Sequence, residues 1–210
     1  LADQGIEWNQ PRKAYIARGN AQAIQGEVAV HAEILTAYYR EAEGGRTDIW
    51  RIDADNSVRI VTPTQQAFGD KAVYDVEKGV LVLTGKNVRL VTETDRITAR
   101  DSLEYWEKRN MAVARGEAVA VRGDNRMRGD VMTAEFAKDA DGKSKVSTVH
   151  VYDNVVISSP TEIVRGDRGT YNLDTGIAVL TGSVKITRGQ NQLNGERAEV
   201  NLNTGVSKLF

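Results

Sequence analysis

The sequence predicts an all-β protein built from internal repeats. Apolar and polar residues alternate in short segments rich in Val and Ile, and small groups of Gly, Asn and Asp separate these segments. The second half of the chain also repeats the first, with residue 19 corresponding to residue 116 at an offset of 97. No segment shows a convincing helical period, so we predict about 16–19 antiparallel strands.

The repeat is visible along most of the chain. Residues 17–19 return as 114–116, 63–64 as 160–161, 69–70 as 166–167, and 83–85 as 180–182. A register kept over this length indicates stacked copies of one unit. We therefore expect a single domain over residues 1–210, duplicated internally over about 14–106 and 111–203.

Two sets of turn signals subdivide each half. The first set lies at Gly19, Asp55, Gly85, Gly116, Asp153 and Gly182. The second follows about 13 residues later, at Gly69, Gly129, Gly166 and Gly195. We interpret both sets as tight turns between antiparallel strands, and the polar segments 41–46 and 138–143 as surface insertions.

These repeats favour one long antiparallel sheet folded on itself. The units are too short for propeller blades, which need about 40 residues each. The alternating turn chemistry is also unlike that of a parallel β-helix. A folded sheet has an inward face along its length and bare strand edges at both ends. Because bare edges associate unless protected, we expect end-to-end strand pairing.

Composition excludes several classes of function. The net charge of −1 argues against a nucleic-acid binder, which needs a surplus of cations. The absence of Cys excludes disulfides and thiolate chemistry. No apolar run approaches the roughly 20 residues of a membrane-spanning helix. The chain starts at Leu1 without Met, so we expect that any targeting segment has been removed.

No residue pattern indicates catalysis, a metal site or a cofactor. His31 and His150 occupy non-equivalent repeat positions, and we interpret both as ordinary strand residues. The pairs Asp53/Asp55 and Asp139/Asp141 do not meet the EF-hand spacing and are interpreted as turn residues. Arg-Gly-Asp triplets occur at 122–124, 128–130 and 165–167, and we do not interpret them as adhesion motifs; the latter two are assigned to the second set of turns.

The repeat motifs resemble those of a known family. Residues 74–85 (YDVEKGVLVLTG), residues 171–182 (YNLDTGIAVLTG) and the opening segment 2–20 are similar to repeats of the LptA/OstA family of periplasmic lipopolysaccharide-transport proteins. The resemblance covers essentially the whole chain. The chain is longer than the best-known members, and we expect that the strand that normally precedes residue 2 has been cut away.

The resemblance implies a β-jellyroll, or "taco", whose apolar groove holds the acyl chains of lipopolysaccharide. It implies binding without enzymatic chemistry and without a cofactor. It further implies head-to-tail oligomers and partners in both membranes, an LptC-like inner-membrane protein and an LptD-like outer-membrane protein. The expected location is the periplasm, after removal of a signal peptide.

The resemblance also assigns the inward positions of the groove. They map onto Ile60, Tyr74 and Val76, and through the repeat onto Tyr171 and Leu173. Continuing the same alternation adds Val80, Val82, Ile177 and Val179. The other candidate lipid-binding residues are Ile52, Val58, Val88, Leu90, Val113, Val184 and Ile186. Cations near strand ends, at Arg59, Arg89, Arg165, Lys185 and Arg188, are candidates for lipid phosphates or for a solvated sheet face.

Two alternatives remain open. The apolar columns are equally suited to packing only against each other, as in a structural β-repeat such as an adhesin stalk. Within the family, the chain is also compatible with a periplasmic domain of an inner-membrane (LptC-type) or outer-membrane (LptD-type) component.

Overall fold

A computed structural model describes residues 1–41, 46–139 and 142–210. These residues form sixteen β-strands, whose pairings are all antiparallel, and one short 3-10 turn at Glu107–Arg109. The all-β prediction and the predicted number of strands are confirmed. The described chain has no helix that is long and apolar enough to span a membrane.

The strand boundaries are as follows: β1 (Ile6–Asn9), β2 (Ala14–Gln25), β3 (Val28–Glu41), β4 (Thr47–Val61), β5 (Gln65–Asp75), β6 (Val80–Thr84), β7 (Arg89–Thr92), β8 (Asp95–Thr98), β9 (Ser102–Trp106), β10 (Met111–Arg122), β11 (Asn125–Lys138), β12 (Ser144–Ser158), β13 (Ile163–Asn172), β14 (Ile177–Arg188), β15 (Asn191–Asn201) and β16 (Val206–Leu209).

The strands fall into two compact units that follow the internal duplication. Unit 1 comprises residues 1–93 and 101–109, and unit 2 comprises residues 94–100 and 110–210. In unit 1, β1 to β6 pair in chain order, β9 pairs with β6, and β7 pairs with β5. In unit 2, β10 to β16 pair in chain order and β8 pairs with β10. That residues 1–210 act as a single domain stays a prediction.

The first set of turn signals does not form hairpin turns, so that interpretation is wrong. Five of the six signals lie inside continuous strands, at Gly19-Asn20, Asn56-Ser57, Gly116-Glu117, Asp153-Asn154 and Gly182-Ser183, where both residues have positive φ. The strand register shifts at each of these pairs. Two consecutive left-handed residues suit a type I′ turn, but here they form a β-bulge that bends the strand. The sixth signal, Gly85, lies between β6 and β7.

The second set of signals also lies inside strands. Gly69 is the partner of Val58 and Gly166 is the partner of Val155, each on the strand facing a bulge. A Cβ atom added to Gly129 would lie 2.2 Å from Cγ1 of Val151, so glycine is required there by the close approach of a buried side chain. The acid after the glycine supports the neighbouring bend: Asp70 accepts a hydrogen bond from the Lys86 amide at 2.8 Å.

The hairpin turns lie elsewhere in the chain. Residues 26–27, 63–64, 123–124 and 189–190 form four of them. The predicted insertions at 41–46 and 138–143 contain residues 42–45 and 140–141, which lie outside the described residues. The Arg-Gly-Asp triplets at 128–130 and 165–167 lie within β11 and β13, so their assignment to turns is wrong, whereas the triplet at 122–124 reaches into a hairpin turn.

The line of bulges divides the sheet of each unit into two parts, which we call limb A and limb B. Limb A contains the segments of β2 and β4 after their bulges, such as 21–25 and 58–61, with the strand segments that pair with them. Limb B contains the segments before these bulges, such as 14–18 and 47–55, with their partners. Strands that pass from one layer of a β-structure to another do so at bulges or bends, and these bulges are such corners.

The two limbs of unit 1 pack together into one apolar core. Ala32 and Val58 of limb A are buried in the same cluster as Leu35, Ala54 and Leu83 of limb B. We call the side of each limb that contributes to such a core its core face, and the opposite side its reverse face. Each unit is therefore an antiparallel sheet folded along its line of bulges.

Candidate functional site

The core face of unit 1 begins with a fully apolar row next to the bulges of limb B. Register places Ile6, Ala17, Leu35, Ala54, Ala72, Leu83 and Leu103 side by side across seven strands. Leu35, Ala54, Ala72 and Leu83 are buried against Val58 and Val88 of limb A. Side chains next to the fold line therefore fill the space between the limbs.

Two residues further from the bulges, limb B carries an outer row that is also apolar or aromatic. It consists of Trp8, Tyr15, Ala37, Ile52, Tyr74, Leu81 and Tyr105. None of these residues is buried, and Tyr15 and Tyr105 are 37% and 39% exposed. In the facing outer row of limb A, Ile60 is buried, and Val30, Ala67 and Leu90 are partly exposed. The core of unit 1 thus ends in an open, apolar mouth.

Aromatic hydroxyl and indole groups line one side of this mouth. The indole of Trp8 donates a hydrogen bond to the hydroxyl of Tyr39 at 2.7 Å, and the ring of Tyr39 lies 5.1 Å from that of Tyr15. The Tyr74 hydroxyl donates to Glu107 at 3.0 Å. Burial and this hydrogen bond raise the pKa of Tyr74, so its phenol is held neutral. Such residues suit a boundary between an apolar and an aqueous phase.

Unit 2 has an inner row in limb B and an outer row in limb A that correspond to those of unit 1. The row next to the bulges in limb B is Ala114, Met132, Val151, Gly169, Leu180, Ala198 and Leu209. The outer row of limb A is Ala120, Met127, Ile157, Val164, Ile186 and Leu193. Met127, Ile157, Val164 and Ile186 are buried, so the outer row is more enclosed here than in unit 1.

Polar groups join the two limbs at the mouth of unit 2. Glu162, in the turn between β12 and β13, is buried and accepts a hydrogen bond from Arg188 at 2.8 Å. It also accepts one from the hydroxyl of Ser207, which pairs with Val200 in limb B. The repeat-equivalent residue in unit 1 is Gln65, which is exposed. The two mouths therefore differ: one is apolar and open, the other is bridged by a charged group.

Eleven of the sixteen candidate groove residues lie on the core face. They are Ile52, Val58, Ile60, Tyr74, Val76, Val88, Leu90, Tyr171, Leu173, Val184 and Ile186. Val58, Val88 and Val184 are fully buried beside the bulges. Tyr74 and Ile52 belong to the outer row, and Val76 is 37% exposed at the limb tip. The structure thus separates packing residues from residues that line a mouth.

Register contradicts the inward assignment of Val80, Val82, Ile177 and Val179, whereas Val113 lies on the reverse face but is buried, so its assignment stays a prediction. Val80 and Val82 pair with Asp75 and Val73, on the reverse face of unit 1. Ile177 and Val179 pair with Asn172 and Thr170, and Val113 pairs with Thr133, on the reverse face of unit 2. The hairpins after β5 and β13 have four-residue connections, so Tyr74 pairs with Leu81 and Tyr171 with Ala178. If the alternation is counted straight through these four residues, the wrong set of side chains in the next strand is assigned to the core face.

Several core-face residues were missed by the sequence reasoning. In unit 1 they include Leu35, Ala54, Ala72, Leu81 and Leu83, and in unit 2 Val151, Val155, Ile157, Val164 and Leu180. If the residues on either side of the four-residue connection are paired one by one away from the turn, Leu81 lies opposite Tyr74 and Leu83 opposite Ala72, so both would have been found. The others follow only from the position of the bulges.

The remaining polar candidates lie away from the core. Four of the five cations near strand ends are on the reverse face of limb A, and only Arg188 lies at a mouth. His150 lies 3.2 Å from Thr170, and no group of three metal-ligating side chains occurs among the described residues. Asp53 is buried and bound by Arg51, and Asp55 pairs with Lys71, whereas Asp141 lies outside the described residues. The assignment of Asp53 and Asp55 to a turn is therefore wrong, since both lie in β4.

The fold and the site define a class of protein. Each unit is a folded antiparallel sheet with an apolar interior between two limbs. A family model described as "LptA/(LptD N-terminal domain) LPS transport protein" matches residues 2–102 and again residues 96–206. The chain belongs to this family, and the two matches follow the duplication. Members are transport proteins rather than enzymes, which confirms that the chain is not an enzyme.

The individual proteins that the chain resembles match a smaller part of it than the family model does. A protein of Rhizobium meliloti (strain 1021), described only as uncharacterized, is 32% identical over 89 residues, which are 40% of this chain and 48% of that protein. The chain therefore spans about half the length of this curated relative. Among solved structures, LptH from Pseudomonas aeruginosa, described as the LptA homologous periplasmic component of a lipopolysaccharide transport device, matches with a TM-score of 0.48 and 20% identity. The match covers 55% of this chain and 80% of LptH.

Proposed function

We propose that this chain is a periplasmic lipopolysaccharide carrier that binds the acyl chains of lipid A between its limbs. The observation that carries the proposal is the outer row of unit 1, from Trp8 to Tyr105, which is apolar and yet not buried. A structural repeat that only packed against itself would bury this row. An exposed apolar row facing another across a mouth is suited to an apolar ligand.

The proposed mechanism is transfer of hydrocarbon from water to an apolar surface. Each methylene that leaves water contributes about 0.8 kcal/mol, so partial burial of one acyl chain is sufficient for binding. The Tyr74 and Tyr105 side chains would meet the boundary between acyl chains and sugar. The chain itself supplies no energy for movement, since it has no enzymatic activity.

Photocrosslinking at adjacent positions of β6 tests this proposal. A photoreactive amino acid at Leu81 faces the open mouth, whereas one at Val82 lies on the reverse face of the same strand. We expect lipopolysaccharide to crosslink at Leu81 and not at Val82, and Ile52→Asp to abolish the Leu81 crosslink. Equal crosslinking at both positions, or none at Leu81, Tyr74 and Ile52, would exclude the groove as the binding site.

We further propose that copies assemble end to end through their terminal strands. Large exposed apolar residues are concentrated there: Leu1, Ile6, Trp8, Ile24 and Val28 at one end of the chain, and Leu193, Val206 and Phe210 at the other. Among the described strands, β1 pairs only with β2 and β16 only with β15. Both therefore have an edge that is open to another strand.

Sedimentation of edge variants tests the assembly. Val206→Lys places a charge on the edge strand β16, and Val76→Lys places the same charge at an exposed position in unit 1 away from the edges. We expect concentration-dependent association that Val206→Lys weakens and Val76→Lys does not. A chain that stays monomeric at all concentrations contradicts the proposal.

Partners in the two membranes follow as part of the same proposal. LptC-like inner-membrane and LptD-like outer-membrane proteins would use the same strand edges. Because the family model covers both LptA and the N-terminal domain of LptD, a second candidate is that the chain is such a domain of an outer-membrane component. Fractionation of the full-length precursor distinguishes them: a soluble periplasmic protein supports the carrier, and an outer-membrane protein supports the second candidate.

A further inference from the structure

The reverse face of limb A in unit 2 carries a group of cations that the groove does not use. Arg128 and Arg165 both pair with Val156, and Arg165 also pairs with Lys185, so one row reads Arg128, Val156, Arg165, Lys185 across four strands. Arg126 lies on the same face two residues from Arg128. We call Arg126, Arg128, Arg165 and Lys185 the cationic face. All four residues are exposed.

The cationic face is poor in counterions. Within the described parts of the chain, Arg126, Arg165 and Lys185 make no ion pair, and Arg128 has only a 3.7 Å contact with Glu117. The nearest acids on these strands, Asp130 and Asp167, lie at the bulges, where Asp130 accepts a hydrogen bond from Asn154. Some exposed cations elsewhere are paired, such as Lys78 with Asp75 and Lys145 with Asp174.

One pairing on this face is unfavourable for the fold. Arg165 and Lys185 are direct cross-strand partners, and like charges in that arrangement repel each other. The equivalent face of unit 1 avoids such a pair: Arg89 lies opposite Phe68 and stacks on its ring at 4.2 Å. The Arg165–Lys185 pairing therefore does not contribute to the stability of unit 2.

The chemistry of the face selects the kind of ligand. Guanidinium and ammonium groups bind phosphate. Because neighbouring strands lie about 4.8 Å apart, the backbone of Arg165 is about 5 Å from that of Lys185 and about 10 Å from that of Arg128 along the exposed row. A peptide strand cannot be added here, because β11, β12, β13 and β14 already pair on both sides. Short aliphatic residues, Val156 and Ile163, fill the space between the cations.

We propose that the cationic face docks unit 2 on the phosphate groups of an anionic lipid surface. This surface is separate from the core-face groove, and docking brings the carrier to a membrane without using its acyl-binding rows. Each Lys or Arg near an anionic bilayer strengthens binding several-fold, and the attraction is screened by salt.

Vesicle co-sedimentation tests the proposal. The probes are vesicles of phosphatidylethanolamine with phosphatidylglycerol, and vesicles of phosphatidylcholine alone. We expect the intact chain to bind the anionic vesicles and not the neutral ones, with loss at high salt. Arg165→Gln/Lys185→Gln should weaken binding about 10- to 30-fold. The control Lys78→Gln/Lys145→Gln removes the same charge from paired positions and should leave binding unchanged.

A second measurement separates docking from a structural role. Because the Arg165–Lys185 repulsion is removed, Arg165→Gln should raise or leave unchanged the melting temperature while it weakens vesicle binding. Inorganic phosphate tests for a single-phosphate site, and polyglutamate tests for an acidic protein. Equal vesicle binding by both double variants, no binding to anionic vesicles, inhibition by millimolar phosphate, or tighter binding to polyglutamate would each overturn the proposal. The Leu81 crosslink does not involve these residues, so the two proposals fail independently.

Discussion

Glu162 and Ser207 connect the two limbs of unit 2 by a hydrogen bond across the mouth of its core. The Glu162 carboxylate is buried, and it also accepts a hydrogen bond from the guanidinium of Arg188. A buried carboxylate is expensive to leave with fewer hydrogen bonds, so this connection stabilises the closed arrangement of the limbs.

We expect Ser207→Ala to reduce the free energy of unfolding by about 1–3 kcal/mol, because the buried carboxylate loses a donor. Urea denaturation followed by circular dichroism measures the change. Ser147→Ala is the matched control: its hydroxyl donates to the exposed backbone carbonyl of Glu135 at 3.2 Å, and we expect a change under about 0.5 kcal/mol. If the two substitutions lowered the free energy of unfolding equally, the hydrogen bond between Glu162 and Ser207 would not stabilise the protein more than an exposed one.

Two glycines that face bulges should differ in their tolerance of a methyl group. An added Cβ at Gly129 would lie 2.2 Å from the buried Val151 side chain, whereas at Gly166 the nearest atom is the Thr181 carbonyl oxygen at 3.2 Å. We expect Gly129→Ala to cost about 1–3 kcal/mol through overpacking, and Gly166→Ala to cost less. Thermal unfolding of both variants checks the order. The reverse order would contradict the packing described here.

The bulge of β12 should reject a β-branched residue. Asn154 has a φ of 53° and donates its amide to Asp130 at 2.8 Å. We expect Asn154→Val to cost about 2–4 kcal/mol, from left-handed strain together with the lost hydrogen bond. Asn154→Gly loses the same hydrogen bond but relieves the strain, so it should stay within about 1 kcal/mol of the natural chain. Equal stability of the Val and Gly variants would mean that the bulge does not constrain this strand.

The ionisation of Tyr74 reports on the mouth of unit 1. Burial first, and then the hydrogen bond to Glu107, raise its pKa above the ordinary tyrosine value of about 10. A raised pKa means that the stabilising contribution of the neutral phenol is present below about pH 10 and is lost as the pH rises through the folded-state value. Carbon-13 NMR of labelled tyrosine, assigned with Tyr74→Phe, measures the titration.

Glu107→Gln separates the two causes of the Tyr74 shift. It removes the charged acceptor and leaves the burial, so we expect the Tyr74 pKa to fall but to stay above that of exposed tyrosine. An unchanged pKa in this variant would assign the whole shift to burial.

The sequence was sufficient for the fold class, because period-two alternation and the internal repeat are properties of the chain itself. It was also sufficient for residues such as Val58, Ile60 and Val184, which lie within one limb. It was not sufficient for the path of the chain between limbs. Asn56-Ser57 and Asp153-Asn154 carry the left-handed preference of a turn, and only the long-range pairing of their strands makes them bulges.

The same ambiguity explains the errors in the groove. A strand's faces are fixed by its own alternation, but the face that turns inward depends on the connection before it. The four-residue connection between Asp75 and Val80 exchanges the faces, so Leu81 and not Val82 lies beside Tyr74. No local preference of Val or Leu distinguishes the two outcomes, since both residues suit either face.

The line of bulges has a mechanical consequence within each unit. Every long strand passes through the line and contributes to both limbs, so no strand can leave one limb without disturbing the other. The limbs can separate only if the strands bend together along this line, at the left-handed pairs of β2, β4, β10, β12 and β14 and at the facing positions of the strands between them. The width of the mouth is therefore a collective property of the sheet, and a ligand that widens it at one strand prepares the neighbouring strands to receive it.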